Sequence, residues 1–222
     1  MRDKRAESST SHQVQDRKRD GRREPLVLLA ATGAAPLVSA VHPKDTFTWL
    51  LEVAPIFIGV PILVATYHRF PLTPLAYRLL FVHALILMLG GHYTYAEVPL
   101  GFWVQRALGL ARNHYDRLGH FAQGFVPAIL AREILLRKTP LRPGGWLFFL
   151  VTCVCLAISA CYEFIEWWTA LISGEGATAF LGTQGDPWDT QWDMFLALVG
   201  ATVSLVTLSR AHDWSMARAS AH

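Results

Sequence analysis

The sequence predicts an all-α, multi-pass membrane bundle of about six transmembrane helices, with both termini in the cytoplasm. Three observations carry that reading. Charge is scarce and unevenly placed, apolar runs of bilayer length recur, and the basic residues sort to one side. Only 17% of the 222 residues are charged and 52% are hydrophobic, where a soluble domain carries about a quarter charged residues. Residues 1–24 hold eight Lys/Arg and five Asp/Glu, and long stretches after them hold almost none. Period-2 alternation is absent, which argues against a barrel.

A helix crosses the hydrocarbon core with about 20 apolar residues. Six runs fit, at roughly 25–41, 48–67, 74–91, 118–136, 145–171 and 192–209. The chain therefore divides into a basic cytoplasmic tail over 1–24, polar enough to be disordered, a membrane domain over 25–210, and a short cytoplasmic tail over 211–222. The first run ends in Val38, Ser39 and Ala40, a tolerable signal-peptidase site, but the basic segment ahead of it is long for a signal peptide.

Orientation follows from counting. With the N-terminus inside, 16 Lys/Arg fall on the cytoplasmic side, and only Lys44, Arg106, Arg112 and Arg117 fall outside. The positive-inside rule favours that arrangement. Trp49, Trp103, Trp167, Trp168, Trp188 and Trp192 then mark outer ends, and Trp146 and Trp214 inner ends, as interfacial anchors. The basic residues are explained by topology, and no interleaved basic and aromatic groove suggests nucleic acid. The expected surroundings are the lipid bilayer, and oligomeric state is not legible. Cys153, Cys155 and Cys161 match no zinc module and read as thiols packed within one helix.

Four polar stretches interrupt the apolar pattern: GHYTYAEVPLG (91–101), RNHYDRLGHF (112–121), YEFIEWW (162–168) and GDPWDTQWD (185–193). All four fall at outer ends of spans. Helical spacing places Asn113, Asp116, His120 and Gly124 on one face of the fourth span. It places Thr152, Cys155, Ser159, Glu163, Glu166 and Ala170 on one face of the fifth. Asp189, Asp193, Ala197, Gly200, Ser204 and Thr207 share a face of the sixth. Small residues let membrane helices approach closely, so the simplest assembly turns the three stripes together and gathers the acids over one pocket.

Carboxylates with one or two histidines make a hard-ligand set suited to a divalent metal. His120, Glu163, Glu166, Asp189 and Asp193 are the candidate ligands. Asp116, His120, Glu163 and Glu166 are the candidate catalytic groups, because water activation needs a cation and a base. His92 and Arg117 are candidates for holding an anionic substrate head, on a lipid or envelope molecule. The reaction class would be a hydrolase or transferase. Proton-coupled movement of a small solute and a purely structural lock are the competing readings. HExxH, EF-hand, P-loop and GxSxG patterns are all absent. Asp186, ahead of Pro187, reads as a turn residue, and His83, mid-span, as a core histidine with its bonds satisfied in preference to a proton-relay group.

HYTYAEVPLG, RNHYDRLGHFAQGF, YEFIEWW and LGTQGDPWDTQWDM, in that order, resemble the YjdF family of bacterial inner-membrane proteins. The resemblance covers about residues 45–210. It implies a six-span protein of the bacterial inner (plasma) membrane. The family is a domain of unknown function, so the resemblance supplies no reaction. Its matching positions here are His92, Tyr95, Glu97, Asn113, Asp116, His120, Glu163, Glu166, Asp186, Asp189 and Asp193.

Overall fold

The computed structural model describes residues 23–174 and 178–220. The disordered tail expected over 1–24 lies outside the described residues, except for Arg23 and Glu24, which already belong to a helix. Every regular element among the described residues is helical. In chain order they are α1 (23–39), α2 (Thr46–Thr66), α3 (Pro74–Tyr93), a single 3₁₀ turn (Tyr95–Glu97), α4 (Pro99–Leu108), α5 (Tyr115–Lys138), α6 (Gly145–Ser173), α7 (Thr178–Leu181) and α8 (Asp189–Ser220).

Helix ends follow local chemistry. Asp45 caps α2 by accepting from the Thr48 amide at 2.6 Å. That bond holds the Asp45 carboxyl below its usual range. Thr73 caps α3, with Pro74 in the first turn, where its missing N–H costs nothing. Gly109 ends α4 in the left-handed region.

Four helices, α2, α3, α6 and α8, are long and apolar enough to cross a bilayer. α5 is not among them, because it carries Asp116, Arg117, Arg132, Glu133, Arg137 and Lys138. Its position explains its composition. α5 packs against α3, α6 and α8, and residues on several of its faces are buried, from Tyr115 and His120 to Arg132 and Glu133. A helix shielded by its neighbours need not be apolar.

Small residues set the closest approach. A Cβ on Gly124 of α5 would overlap the backbone carbonyl of Ala197, and one on Gly200 of α8 would overlap the carbonyl of Phe121. The two helices therefore meet backbone to backbone. In α6 the buried residues are Leu147, Val151, Cys155, Ser159 and Glu163, a strict i, i+4 stripe. Cys155 is buried, while Cys153 and Cys161 lie on the exposed side of the same helix. Thr207, expected on the buried stripe of α8, is exposed and bonds only to the Val203 carbonyl. The stripe turns away from the core there, and Ser204, Leu205 and His212 continue it.

A second polar network sits at the other end of α5. Glu133 is fully buried and accepts from the Thr73 amide (2.9 Å), the Thr73 hydroxyl (2.8 Å), Arg137 Nη1 (2.7 Å) and His212 Nε2 (3.1 Å). Arg132 Nη1 lies 2.8 Å from His212 Nδ1, and Arg132 Nη2 lies 2.7 Å from Asp213 Oδ1. Arginine can only donate. His212 Nδ1 is therefore the acceptor, and its ring proton sits on Nε2, facing Glu133. The network joins the start of α3, the end of α5 and the far part of α8.

Candidate functional site

α5, α6 and α8 bring their acids together around His120, which is buried. Its Nε2 lies 3.5 Å from Asp116 Oδ1 and 3.8 Å from Asp193 Oδ2. Its Nδ1 lies 3.9 Å from Glu163 Oε1 and 3.1 Å from Gln123 Oε1. Two sets of three groups have ligand atoms within 4.8 Å of one another: Asp116, His120 and Asp193, and His120, Glu163 and Glu166. The three helical stripes thus converge. Asp193 Oδ1 and Glu163 Oε1 are buried without a hydrogen-bond partner, as is the Ser159 hydroxyl one turn from Glu163. Buried polar atoms are rarely left so.

The other expected residues sit beside this cluster. Asp189 belongs to neither set of three; Arg112 Nη2 engages it at 2.9 Å. Arg117 Nη2 bonds Asp186 Oδ2 at 2.9 Å, and its guanidinium lies 4.9 Å from the Trp192 ring centre. Asp186 also accepts from the Trp188 amide at 3.0 Å and lies 3.4 Å from Arg112, so it organises the turn before α8. His92 bonds the Ser39 carbonyl through Nδ1 at 2.9 Å, and its own carbonyl accepts from the Lys44 amide. Those contacts tie the end of α3 to α1 and to the loop before α2. His83 departs from expectation: its Nε2 is buried with no hydrogen-bond partner, so it is not a satisfied core histidine.

The connecting loops are built around the same end. Gln184 donates to the Asn113 carbonyl at 2.8 Å. Asn113 in turn accepts from the Tyr115 amide and donates to the Val98 carbonyl. His114, in this loop, is held below the ordinary histidine range by burial, then by Arg117 and Arg112.

Sequence reasoning missed Glu52. It is buried in α2 and accepts from the Tyr162 hydroxyl at 3.2 Å. Tyr162 also packs edge-on to the His120 ring, with centroids 6.4 Å apart. Tyr95 completes this wall. A Cβ on Gly90 or on Gly119 would collide with its ring, so two glycines make its slot. Burial, then the nearby Glu52 carboxyl, push the Tyr95 phenol well above its usual range. The signal was available: a lone acid inside an apolar run is a functional candidate by default.

A helical membrane bundle with a buried His/Asp/Glu cluster at one end is the class these observations define. Residues 24–214 match the family described as "Predicted membrane protein (DUF2238)". The chain is 56% identical over 192 residues to the "Inner membrane protein YjdF" of Escherichia coli (strain K12), covering 85% of this chain and 92% of that protein. The chain belongs to this family, and it is a protein of the bacterial inner membrane embedded in the lipid bilayer. No solved structure matches it.

Proposed function

We propose that the His120 cluster is a divalent-cation centre, and that this six-span protein is a membrane hydrolase or transferase acting on a lipid or envelope substrate from the periplasmic side. One observation carries the metal reading. The gaps of 3.5 and 3.8 Å between His120 Nε2 and the two aspartates are longer than the usual span of about 2.7–3.2 Å for an N–H···O hydrogen bond. Two ligands each about 2.1 Å from a tetrahedral ion lie about 3.4 Å apart, which these gaps approach. Asp116, His120, Glu163, Glu166 and Asp193 would divide ligation and general-base work among them. Arg117, at the rim, is the candidate for an anionic head, with His92 as a more distant second.

Six spans and the orientation rest on helix order and charge. The loops before α2, α5 and α8 share one end with the cluster, and Glu133 and His212 mark the opposite end. α8 has 32 residues, about 48 Å of helix. It can cross a core of about 30 Å and still carry His212 and Arg218 past the inner face. A periplasm-active reporter fused after Ser173 should be active, and one fused after Arg137 inactive. The opposite pattern would overturn the orientation and the periplasmic site with it.

The metal reading is tested by chelation. A ligand that binds only the folded form adds about 2.7 kcal/mol at a hundred times its dissociation constant. Purified protein should lose thermal stability on chelation and regain it with a divalent metal. Asp193→Asn should blunt that response. Asp186→Asn should lower the starting stability, because Arg112 and Arg117 lose a partner, yet leave the metal response intact. A Tm indifferent to both chelator and metal would remove the metalloenzyme reading. Proton-coupled transport through Glu52, Tyr162 and the cluster would then take its place.

A further inference from the structure

The cluster offers two places for a cation, one on each edge of the His120 ring, and Gln123 distinguishes them. Gln123 is on α5, three residues after His120, and its Oε1 lies 3.1 Å from Nδ1. With its amide oxygen turned to Nδ1, Gln123 accepts there, and Nδ1 then carries the ring proton. The Nε2 lone pair is then left facing Asp116 Oδ1 at 3.5 Å and Asp193 Oδ2 at 3.8 Å. Three electron-rich atoms converging in a buried space repel one another unless something positive lies between them. A proton on Nε2 would draw one carboxylate to a charge-assisted bond of about 2.7–2.9 Å, and neither is that close. Asp193 Oδ1, the other oxygen of the same carboxylate, is buried and without a partner.

We infer that the cation belongs to the Asp116–His120–Asp193 edge, and that Gln123 is a positioning residue which fixes the His120 tautomer for it. This rests on the metal reading above. Glu163 stands on the opposite edge, where Nδ1 is already committed to Gln123, and Glu166 groups with Glu163 rather than with the aspartates, so both stay outside the coordination shell. Metal-bound histidines commonly donate their other N–H to an oxygen acceptor, and losing that acceptor costs about 10–100-fold in affinity. Three protein ligands leave coordination positions open, as a hydrolytic centre requires.

The test is a titration of full-length purified protein in detergent with Co²⁺ or Zn²⁺, read by calorimetry and, for Co²⁺, by its visible absorption. One ion should bind per chain. Gln123→Leu should weaken binding about 10–100-fold and alter the Co²⁺ spectrum. Gln123→Glu keeps an oxygen for Nδ1 and should restore both. Asp116→Asn and Asp193→Asn should abolish binding, whereas Glu163→Gln and Glu166→Gln should retain it. Tm in the absence of metal, measured for each variant, separates loss of a ligand from loss of fold. Binding that survives Gln123→Leu unchanged, or that is lost in Glu163→Gln and kept in Asp193→Asn, overturns the assignment while leaving a metal centre in place. No binding to the wild type overturns the metal reading itself.

Discussion

Glu133→Ala is expected to cost about 3–5 kcal/mol, the penalty for breaking a buried charged network on one side only. Glu133 and His212 are both fully buried. Removing the carboxylate leaves the Thr73 amide and hydroxyl, which start α3, with nothing to donate to. It also strands His212 Nε2–H in the interior. Arg137 is partly exposed and can turn to water, so its share of the loss is small. Glu133→Gln is no conservative change here. Every group around the carboxylate is a donor, and the new amide NH₂ would face one of them. Thermal unfolding of purified protein should show Tm falling on the order of 10 °C for Ala, by the scaling for chains of 150–250 residues. The paired variant Glu133→Leu with His212→Leu should cost less than the sum of its single changes, because both polar groups leave together. A Tm within about 2 °C of wild type for Glu133→Ala would mean that Thr73 and His212 find other partners.

Gly124→Val is expected to disable the site through the backbone. The new Cβ would overlap the Ala197 carbonyl, and a main-chain atom inside a helix cannot swing aside. α5 and α8 must separate instead, and overpacking of this kind costs about 1–3 kcal/mol or more. The consequence reaches the cluster because His120 is one turn from Gly124 and Asp193 is one turn from Ala197. Their gap of 3.8 Å should widen, and, in the divalent-cation reading proposed above, metal affinity should fall at least about tenfold, since ligand distances tolerate only about 0.2 Å. Gly200→Ala, facing the Phe121 carbonyl, should act in the same direction. Gly59→Ala in α2 meets nothing within 4 Å and serves as the control. Metal binding by Gly124→Val equal to that of Gly59→Ala would break the link between helix spacing and the cluster.

Much of this arrangement could be read before any coordinates. Each of the six apolar runs overlaps a long helix, because a bilayer-length run leaves little choice of element, although α8 continues to Ser220, past the run expected to end near 209. His120, Glu163 and Asp193 meet because each shares a stripe with small residues, and small stripes point at neighbours. The remainder depended on how helices turn toward one another, which a single helix pattern does not encode. Arg132 and Arg137 read as loop-side charges sorted by topology, while their partner Glu133 and the distant His212 gave no local sign of pairing. Asp189 had the spacing of a ligand, but Arg112 reaches it from a loop. Glu52 stood out as a lone acid in an apolar run, but its neighbours Tyr95 and Tyr162 come from elsewhere in the chain and could not be paired with it. α4 is too short to register against the spans around it.

The burial of α5 also bears on how the chain enters the membrane. Partition into lipid from the insertion machinery is decided largely by a segment's own apolarity, and a charge near a helix centre costs about 2.5–3.5 kcal/mol. α2, α3, α6 and α8 meet that demand individually; α5, with charges in its first turn and along its last two, does not. In the six-span reading α5 settles only when α6 and α8 are present to cover it. Biogenesis would then be least forgiving after α5 has emerged and before α8 has, and chains truncated in that interval should be the ones that quality-control proteases remove.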